Sequence, residues 1–282
     1  LNYQGDDDSY DVEYGTDGTA LHIVYSGATN GWIPTLDKAV DDVPSKGNQE
    51  GIFGFGRTGS VVSMTNLVTN AGVVGSDVTG VGTVRHFLSG CEFGGDKGIF
   101  AFGSIPAGKT NLSNLISNTG VVASDTAGVG TDAGYRGACE YGGDKGIFGF
   151  GEPNNAITNL VSNTGVVASD QAATTGTARS SVSACGYGND KGIFGYGYTS
   201  SVVGMTNLVS NAGVVASDVA VVGTARQSLA ATEYGGDKGI FAYGSTGSVV
   251  TTSNLVSNAG VVASDVTGVG TARYGLNACS FN

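Results

Sequence analysis

One short phrase recurs along most of the chain at an almost constant interval. Copies of Gly-Ile-Phe-Gly/Ala-Phe/Tyr-Gly begin at five glycines, and the steps between them are 47, 48, 46 and 47 residues. These glycines are Gly51, Gly98, Gly146, Gly192 and Gly239. Each interval carries a second phrase, seen at residues 65–77 and again at 206–218. A period of this length indicates a repeat architecture in which each copy packs against its neighbours.

Each period contains four short apolar segments separated by Gly, Asn and Asp, which is typical of strands joined by tight turns. In the second period we predict strands over residues 85–93, 97–103, 113–118 and 120–126. Four antiparallel strands in a repeat of about 40 to 50 residues predict the blade of a β-propeller.

Strand alternation predicts that each blade has one bulky face and one small face. Phe100 and Phe102 would lie on one face, and Ile99 and Ala101 on the other. Aromatic side chains of one blade could then lie over Gly or Ala positions of the next, all around a ring. The alternative, a straight β-solenoid, has shorter rungs and needs end caps.

The two ends of the repeat region are complementary. The chain finishes at residues 273–282 with a first strand that lacks a second, and the repeat begins at residues 48–56 with a second strand that lacks a first. The predicted fold is therefore all-β: a five-bladed β-propeller of four-stranded blades over residues 48–282, closed by the C-terminal strand completing the first blade. Residues 1–47 lie outside the repeat and are predicted to be an attachment segment with short β structure.

Composition excludes some functions. The formal net charge is −11 and the sequence pI is about 4.4, so we expect no nucleic-acid partner, since no basic stripe is present. No apolar run reaches 18 residues, so we expect no membrane insertion. The chain begins at Leu1 without Met, which suggests a processed or partial sequence, and the acidic balance favours a virion or extracellular location.

The repeat pattern resembles a known family. Arg, an apolar run, Gly-Gly, Ile-Phe-x-Phe/Tyr-Gly, a variable loop and two further strands are similar to a kelch-type blade, although the Trp and the Tyr-Asp pair of that blade are absent. With the segment Tyr-Ser-Gly-Ala-Thr-Asn-Gly-Trp-Ile-Pro-Thr at residues 25–35, the Gly-rich repeats also resemble tail-fibre and other appendage proteins of marine bacteriophages.

This resemblance implies a virion surface protein. Residues 1–47 would bind other virion proteins, and the propeller would contact a host glycan or receptor, or neighbouring subunits. A homo-oligomer is compatible with this arrangement.

In a propeller, the loops between second and third strands share an edge with the connections between blades. These loops differ from repeat to repeat, whereas the opposite edge repeats Gly-Gly-Asp-Lys almost unchanged. We therefore predict that the variable edge is the contact face. The candidate binding residues are Arg57, Lys109, Asn154 and Tyr198 in the loops, and Arg85, Arg179, Arg226 and Arg273 in the connections.

The four connection arginines occupy one repeat position, which Ala133 breaks in the second blade. They could form a ring of guanidinium groups, each of which binds a carboxylate or sulfate of a glycan through paired hydrogen bonds. Alternatively, each could pair with an aspartate at a blade junction, such as Asp77 or Asp218.

The cysteines also share one repeat position, which Thr232 occupies in the fifth copy. Neighbouring blades would hold them too far apart for disulfides, so we predict small buried residues near a central channel. A ring of thiolates around a metal is the alternative. The four are Cys91, Cys139, Cys185 and Cys279.

No cofactor or metal is predicted. The acidic run of residues 5–13 could supply calcium ligands at Asp6, Asp8, Asp11 and Glu13, but an exposed acidic segment is favoured. Trp32, the only tryptophan, is expected to pack on a neighbouring side chain.

Catalysis has little support from the sequence. His22 and His86 are the only histidines, and no Ser-His-Asp set or pair of unique carboxylates is visible. The expected function is a non-enzymatic virion appendage that uses the propeller edge for host-surface or inter-subunit contact. The alternative is a secreted multivalent lectin with up to five glycan sites.

Overall fold

The computed structural model of the protein describes residues 22–25, 32–34, 50–171, 176–220 and 223–280. The chain divides into two units, Leu1–Gly47 and Asn48–Asn282. In the first unit, β1 (Ile23–Tyr25) and β2 (Trp32–Pro34) form an antiparallel pair. The rings of Tyr25 and Trp32 lie 5.4 Å apart, so Trp32 packs on a neighbouring aromatic as expected. The acidic run with Asp6, Asp8, Asp11 and Glu13 lies outside the described residues.

The second unit is all-β, and its described residues contain no helix. Five antiparallel sheets follow one another along the chain, and we number them in that order. The first sheet pairs β3 (Gly51–Arg57) with β4 (Val61–Val68). The second comprises β5 (Ser89–Phe93), β6 (Lys97–Ala101) and β9 (Ser113–Ile116), with a separate hairpin of β7 (Ser104–Ile105) and β8 (Gly108–Lys109).

The remaining three sheets each have three strands in sequence order. The third sheet comprises β10 (Gly137–Tyr141), β11 (Lys145–Gly149) and β12 (Thr158–Val161). The fourth comprises β13 (Ser183–Tyr187), β14 (Lys191–Tyr198) and β15 (Val202–Val209). The fifth comprises β16 (Ala230–Tyr234), β17 (Lys238–Ala242) and β18 (Ser253–Val256).

The sheets have three strands where the sequence predicted four. In the second repeat, the fourth segment meets β9 only at two isolated bridges, between residues 116 and 122 and between residues 113 and 126. Between these bridges, the Asn114 side chain donates to the Ala123 carbonyl (3.0 Å) and to Asp125 (2.9 Å). The Ala123 amide also donates to the Leu115 carbonyl (2.8 Å), so backbone and side-chain hydrogen bonds together hold the segment, which does not become a regular strand.

Adjacent sheets are joined by aromatic rings lying over small residues, as predicted. A Cβ atom added to Gly149 in the third sheet would lie 2.7 Å from the ring of Phe194 in the fourth. Gly195 has the same relationship to Phe241 of the fifth sheet. These rings are completely buried. At Gly149 and Gly195 the ring occupies the space of a side chain, and only alanine replaces glycine at this repeat position, as at Ala101.

The predicted orientation of Phe102 is wrong. Phe100 contacts the preceding sheet, since its ring lies against Gly54, whereas Phe102 lies 5.3 Å from Phe148 in the following sheet. Phe102 has a φ of 63°, so the backbone leaves the extended region and strand alternation ends at Ala101. The equivalent aromatic in every repeat is also left-handed, with φ between 61° and 64°. These residues are Phe55, Phe102, Phe150, Tyr196 and Tyr243.

The first strands of successive three-stranded sheets lie side by side, in the order β5, β10, β13, β16. The carboxylate of Glu140 on β10 interacts electrostatically with Glu92 on β5 and with Glu233 on β16. Glu92 also acts on Glu233, although their strands belong to the second and fifth sheets. The first strands therefore converge, and the row of sheets curves around them.

The predicted closing strand is not present in the described residues. The first sheet has two strands, and residues 271–280 contain none. Cys279 is exposed, whereas Cys139 and Cys185 are buried as predicted and Cys91 is half-buried. All four are free thiols.

Candidate contact surface

The variable loops and the connections between repeats lie at one edge of the sheets, as predicted. Each of four connections forms an isolated bridge with the end of the second strand or with the loop that follows it. These bridges join His86 to Ser104, Gly134 to Glu152, Ser180 to Tyr198, and Gln227 to Ser245. We call this the variable edge. The rigid sheets beneath it hold the loop residues in fixed positions.

A ladder of backbone hydrogen bonds runs along the variable edge from one repeat to the next. The amide of Tyr135 donates to the carbonyl of Phe87 (3.0 Å), and Ser181 donates to Tyr135 (3.0 Å). Ser228 then donates to Ser181 (3.4 Å), and Gly275 donates to Ser228 (2.8 Å). All five residues have positive φ. Unlike residues thus occupy the same backbone position in successive repeats.

The side chains along the ladder determine the shape of the surface. Phe87 and Tyr135 stack on each other with ring centroids 3.9 Å apart. Ser181 and Ser228 follow them, and their small side chains leave space. A depression of about 570 Å³ opens beside Tyr135, where the aromatic pair ends. The depression is broad and open to solvent, so it offers a contact surface more than an enclosed cavity.

The lining of the depression is polar and comes from three successive repeats. Hydroxyl groups, amides and two tyrosine rings converge there, with one carboxylate. The lining residues are Tyr135, Glu152, Asn154, Ser180, Ser181, Tyr198, Thr199, Gln227 and Ser228. Such a set can donate and accept hydrogen bonds and offers aromatic surface, which suits a ligand rich in hydroxyl groups.

Two of the four predicted loop residues line the depression. Asn154 is exposed and donates to the carbonyl of Thr199 at 2.8 Å, which ties two neighbouring loops together. Tyr198 is partly exposed at 37%. Both were predicted from the variability of their loops.

Lys109 lies beside the depression. Its ammonium is 3.3 Å from Glu152 and 5.1 Å from the centroid of Tyr135. Burial, reinforced by the Glu152 carboxylate, raises the pKa of the Tyr135 hydroxyl. Arg57 does not line the depression; it is exposed and donates to the carbonyl of Gly59 at 3.3 Å.

Three of the predicted connection arginines are inaccessible to a ligand. Arg85, Arg179 and Arg226 are completely buried. Each guanidinium lies over the aromatic residue of its own repeat, for example Arg179 over Phe150 at 4.0 Å. The candidate surface therefore excludes these three.

Their partners belong to the following repeat. Arg179 donates to Asn207 (2.6 Å) and to the Tyr196 carbonyl (2.8 Å), and lies 3.7 Å from Asp218. The aspartate pairing considered from the sequence is thus present for Asp218. Asp218 also accepts hydrogen bonds from the amide and hydroxyl of Thr177.

In the second repeat, an arginine from a different position makes the junction contacts. Ala133 occupies the usual position, but Arg136, three residues later, extends over Phe102 at 4.0 Å and donates to Asn159 at 2.8 Å. Burial lowers the pKa of Arg136 to about 9, although Asp170 opposes the shift. Sequence alignment of the repeats missed this residue because it lies out of register.

A second polar cluster lies on the first strands, where Glu140 and Glu233 are half-buried and Glu92 is exposed. Burial, reinforced by Glu92 and Glu233, raises the pKa of Glu140 to about 7. Burial also raises the pKa of Cys139, which interacts with Cys91 and Cys185. No group of three or more candidate ligands with metal-binding geometry occurs among the described residues.

No protein-family model matches the chain, and no curated protein matches its sequence. Within the described residues, the structure has no helix long and apolar enough to cross a membrane.

Proposed function

We propose that this protein is a non-enzymatic contact module. Its repeats would form a five-bladed β-propeller over residues 48–282, and its variable edge would bind a partner. The observation that carries the proposal is the polar depression built from three unlike repeats on that edge. A purely structural ring would need no variation there, because the sheets below repeat the same junction.

The lining also bears on catalysis. Glu152 is the only carboxylate among the lining residues, and Lys109 pairs with it at 3.3 Å. General acid–base catalysis of glycoside cleavage uses two carboxyl groups that flank the substrate. The lining supports binding of a polar ligand and offers no such pair.

The setting we propose is a virion appendage, either a tail fibre or another surface protein. Residues 1–47 would attach to other virion proteins, and the depression would face a host glycan or receptor. The kelch-like and phage-appendage resemblance of the repeats supports this assignment.

A secreted lectin is the second candidate, and the lining chemistry favours it. Hydroxyl, amide and tyrosine groups are the groups that bind saccharides through hydrogen bonds and ring stacking. The depression is asymmetric, because Ser181 and Ser228 stand where Phe87 and Tyr135 stand in earlier repeats. This lectin would therefore have one principal site, where the sequence allowed up to five equivalent ones.

A substitution that fills the depression with a bulky side chain tests whether a ligand binds there. Ser181→Tyr places in the ladder the residue that Tyr135 already provides at almost the same φ, 54° against 53°. We expect the variant to fold normally and to lose binding to host cells and to a glycan array. Ala212→Tyr is the matched control, since Ala212 is exposed in a turn at the opposite edge. Equal binding by both variants would refute the proposed site.

Cross-linking through lysine tests which edge meets the partner. Lys109 belongs to the variable edge, whereas the opposite edge carries the Asp-Lys pairs. We expect cross-links to host-surface components from Lys109, and cross-links to virion proteins from Lys38 and Lys46. The lysines of the opposite edge are Lys97, Lys145, Lys191 and Lys238. Cross-links to host-surface components from these lysines alone would contradict the proposal.

A further inference from the structure

The junction between neighbouring sheets is built from the same three complementary contacts each time. The fourth and fifth repeats show the first: Thr224, at the end of the fourth, donates through its amide and hydroxyl to Asp265 of the fifth. Arg226 is fully buried beside this pair and contacts the Tyr243 carbonyl at 2.8 Å. An Asn from the later repeat completes the set, as Asn254 binds Asp265 at 2.9 Å.

The other two contacts are apolar. Leu208 of the fourth repeat fills the space beside Gly260 of the fifth, where an added Cβ would lie 2.9 Å from the leucine. Phe241 of the fifth sheet covers Gly195 of the fourth. Each junction therefore joins a leading face and a trailing face of fixed chemistry.

In each junction, the later repeat supplies the Asn, the Asp and the Gly, and we call this set the receiving half. The first repeat carries a receiving half, but among the described residues no face of another repeat lies against it. Asn66 and Asp77 are hydrogen-bonded at 2.8 Å, as their equivalents are in every other repeat. Asp77 is exposed, however, and Asn66 is only half-buried, whereas Asn114, Asn159, Asn207 and Asn254 are completely buried. Gly72 has no atom within 4 Å of an added Cβ, and Phe53 is 57% exposed.

The last repeat carries the matching donating half. Arg273 lies over Tyr243 at 3.9 Å, as each junction arginine lies over its own aromatic, and it donates to the Thr271 carbonyl at 3.0 Å. Both Thr271 and Arg273 are exposed. Leu255, the equivalent of Leu208, is 37% exposed. Arg273 therefore already has the position over its aromatic that the other junction arginines have, but in the part of the chain that the structure describes no receiving half of another repeat lies against it.

The backbone ladder of the variable edge has the same gap. Four of its bonds connect five residues from Phe87 to Gly275, and a fifth bond from the Phe87 amide to the Gly275 carbonyl would make it a circle. The first strands of the second and fifth sheets already approach closely enough for Glu92 and Glu233 to interact. Curvature of this kind brings the two free faces toward each other.

We propose that the chain closes on itself through a fifth copy of the junction. Thr271 and Arg273 bind Asp77 and Asn66, Leu255 fills the space beside Gly72, and Phe53 covers Ala242. The partner surface is the other end of the same chain. This inference rests on the five-bladed ring proposed above and names the side chains that seal it.

The test is a double-mutant cycle on melting temperature, with Asp77→Ala, Arg273→Ala and both together. A closed ring predicts that each single variant melts several degrees lower, at about 2–4 °C per kcal/mol for a domain of this size. The double variant should melt close to the less stable single variant, because the first change already breaks the contact. Asp77→Ala combined with Arg226→Ala serves as the control pair and should be additive, since Arg226 belongs to a different junction.

Additive effects of Asp77→Ala and Arg273→Ala would overturn the proposal. Coupling that appears only at high protein concentration, together with dimers or longer assemblies in light scattering, would also overturn it by assigning the contact to a second copy. Coupling in a monomer at all concentrations is the expected result. The outcome is independent of ligand binding, so failure here and failure of the contact function can be told apart.

Discussion

The guanidinium carbon of Arg179 lies 4.0 Å from the centroid of the Phe150 ring, and the arginine is completely buried. Phe150 has a φ of 61°, which turns its ring out of the strand alternation and toward the next sheet. The cation therefore lies on an aromatic surface of its own repeat while its nitrogens bind groups of the following repeat. Desolvation of the charge strengthens both kinds of contact.

Arg179→Ala is expected to destabilise the protein strongly. The change removes the hydrogen bonds to Asn207 and Tyr196 and leaves Asp218 without its cation, so we expect a loss of about 3 kcal/mol or more in the free energy of unfolding. Urea denaturation measures this loss. Arg57→Ala, at an exposed position, should stay within about 0.5 kcal/mol of wild type. Comparable losses for the two variants would contradict the junction role.

Gly213→Ala tests the packing between sheets. Gly213 has a φ of 76°, and an added Cβ would lie 2.7 Å from Leu160 of the preceding repeat. The variant combines backbone strain with overpacking, which together cost about 2–4 kcal/mol. Gly143→Ala is matched in backbone, with a φ of 75° and no atom near the added Cβ, so its loss should reflect strain alone. Thermal denaturation of both variants decides; equal losses would show that the leucine contact contributes nothing.

The same substitution at Gly72 reports on ring closure. Gly72 has a φ of 75° and, in this structure, no atom near an added Cβ. If Leu255 fills that space, Gly72→Ala should destabilise as much as Gly213→Ala does. A loss no larger than that of Gly143→Ala would mean that the space stays empty.

Because burial raises the pKa values of carboxyl groups on the first strands, we expect the free energy of unfolding to fall as the pH rises. The folded-state pKa of Glu140 is about 7, above its ordinary value of 4.5, so the folded protein holds a proton that the unfolded chain releases. This contribution is complete below about pH 4.5 and is lost as the pH rises through 7. We expect the free energy of unfolding to decrease between pH 5 and pH 8, and Glu140→Gln to flatten that slope.

Glu92 and Glu233, whose pKa values are also raised by burial, should leave a residual slope in the Glu140→Gln variant. The junction carboxylate Asp218 behaves oppositely: hydrogen bonds from Thr177 and Asn207 lower its pKa despite its partial burial. Its contribution is lost as the pH falls below about 4, outside the measured window. A slope of the same size in wild type and variant would show that Glu140 does not titrate there.

The repeat sequence predicted the three strands found in the second to fifth sheets, the turns and the shared edge because these depend on local pattern, whereas the predicted fourth strands and the closing strand are not present in the described residues. It also predicted that aromatics would cover small residues of a neighbouring sheet, which follows from spacing, although the sheet covered is the preceding one. The left-handed Phe102 was not predictable, since strand alternation assumes that every residue is extended. Asn114 binds the fourth segment through its side chain, and Arg136 enters its junction three residues out of register; both depend on side-chain contacts that strand alternation does not encode.

Some candidate site residues could be predicted from the sequence and others could not. Asn154 and Tyr198, predicted because exposed loops vary, line the depression. Arg85 and Arg226 were included because they recur, yet recurrence in this chain marks the buried junction. The serines of the depression carried no signal in sequence, since their importance comes from the aromatic side chains that their positions lack.

Thiol reactivity of the native protein tests ring closure most directly. In the closed ring, the C-terminal segment completes the first sheet, and Cys279 takes a place equivalent to that of the buried Cys139 beside Gly192, where an added Cβ would meet its sulfur at 2.6 Å. The account predicts that all four cysteines react slowly with Ellman's reagent in native buffer and rapidly in denaturant. One thiol that reacts at the denatured rate in the native protein, identified as Cys279 by its loss in Cys279→Ser, would contradict the closed ring.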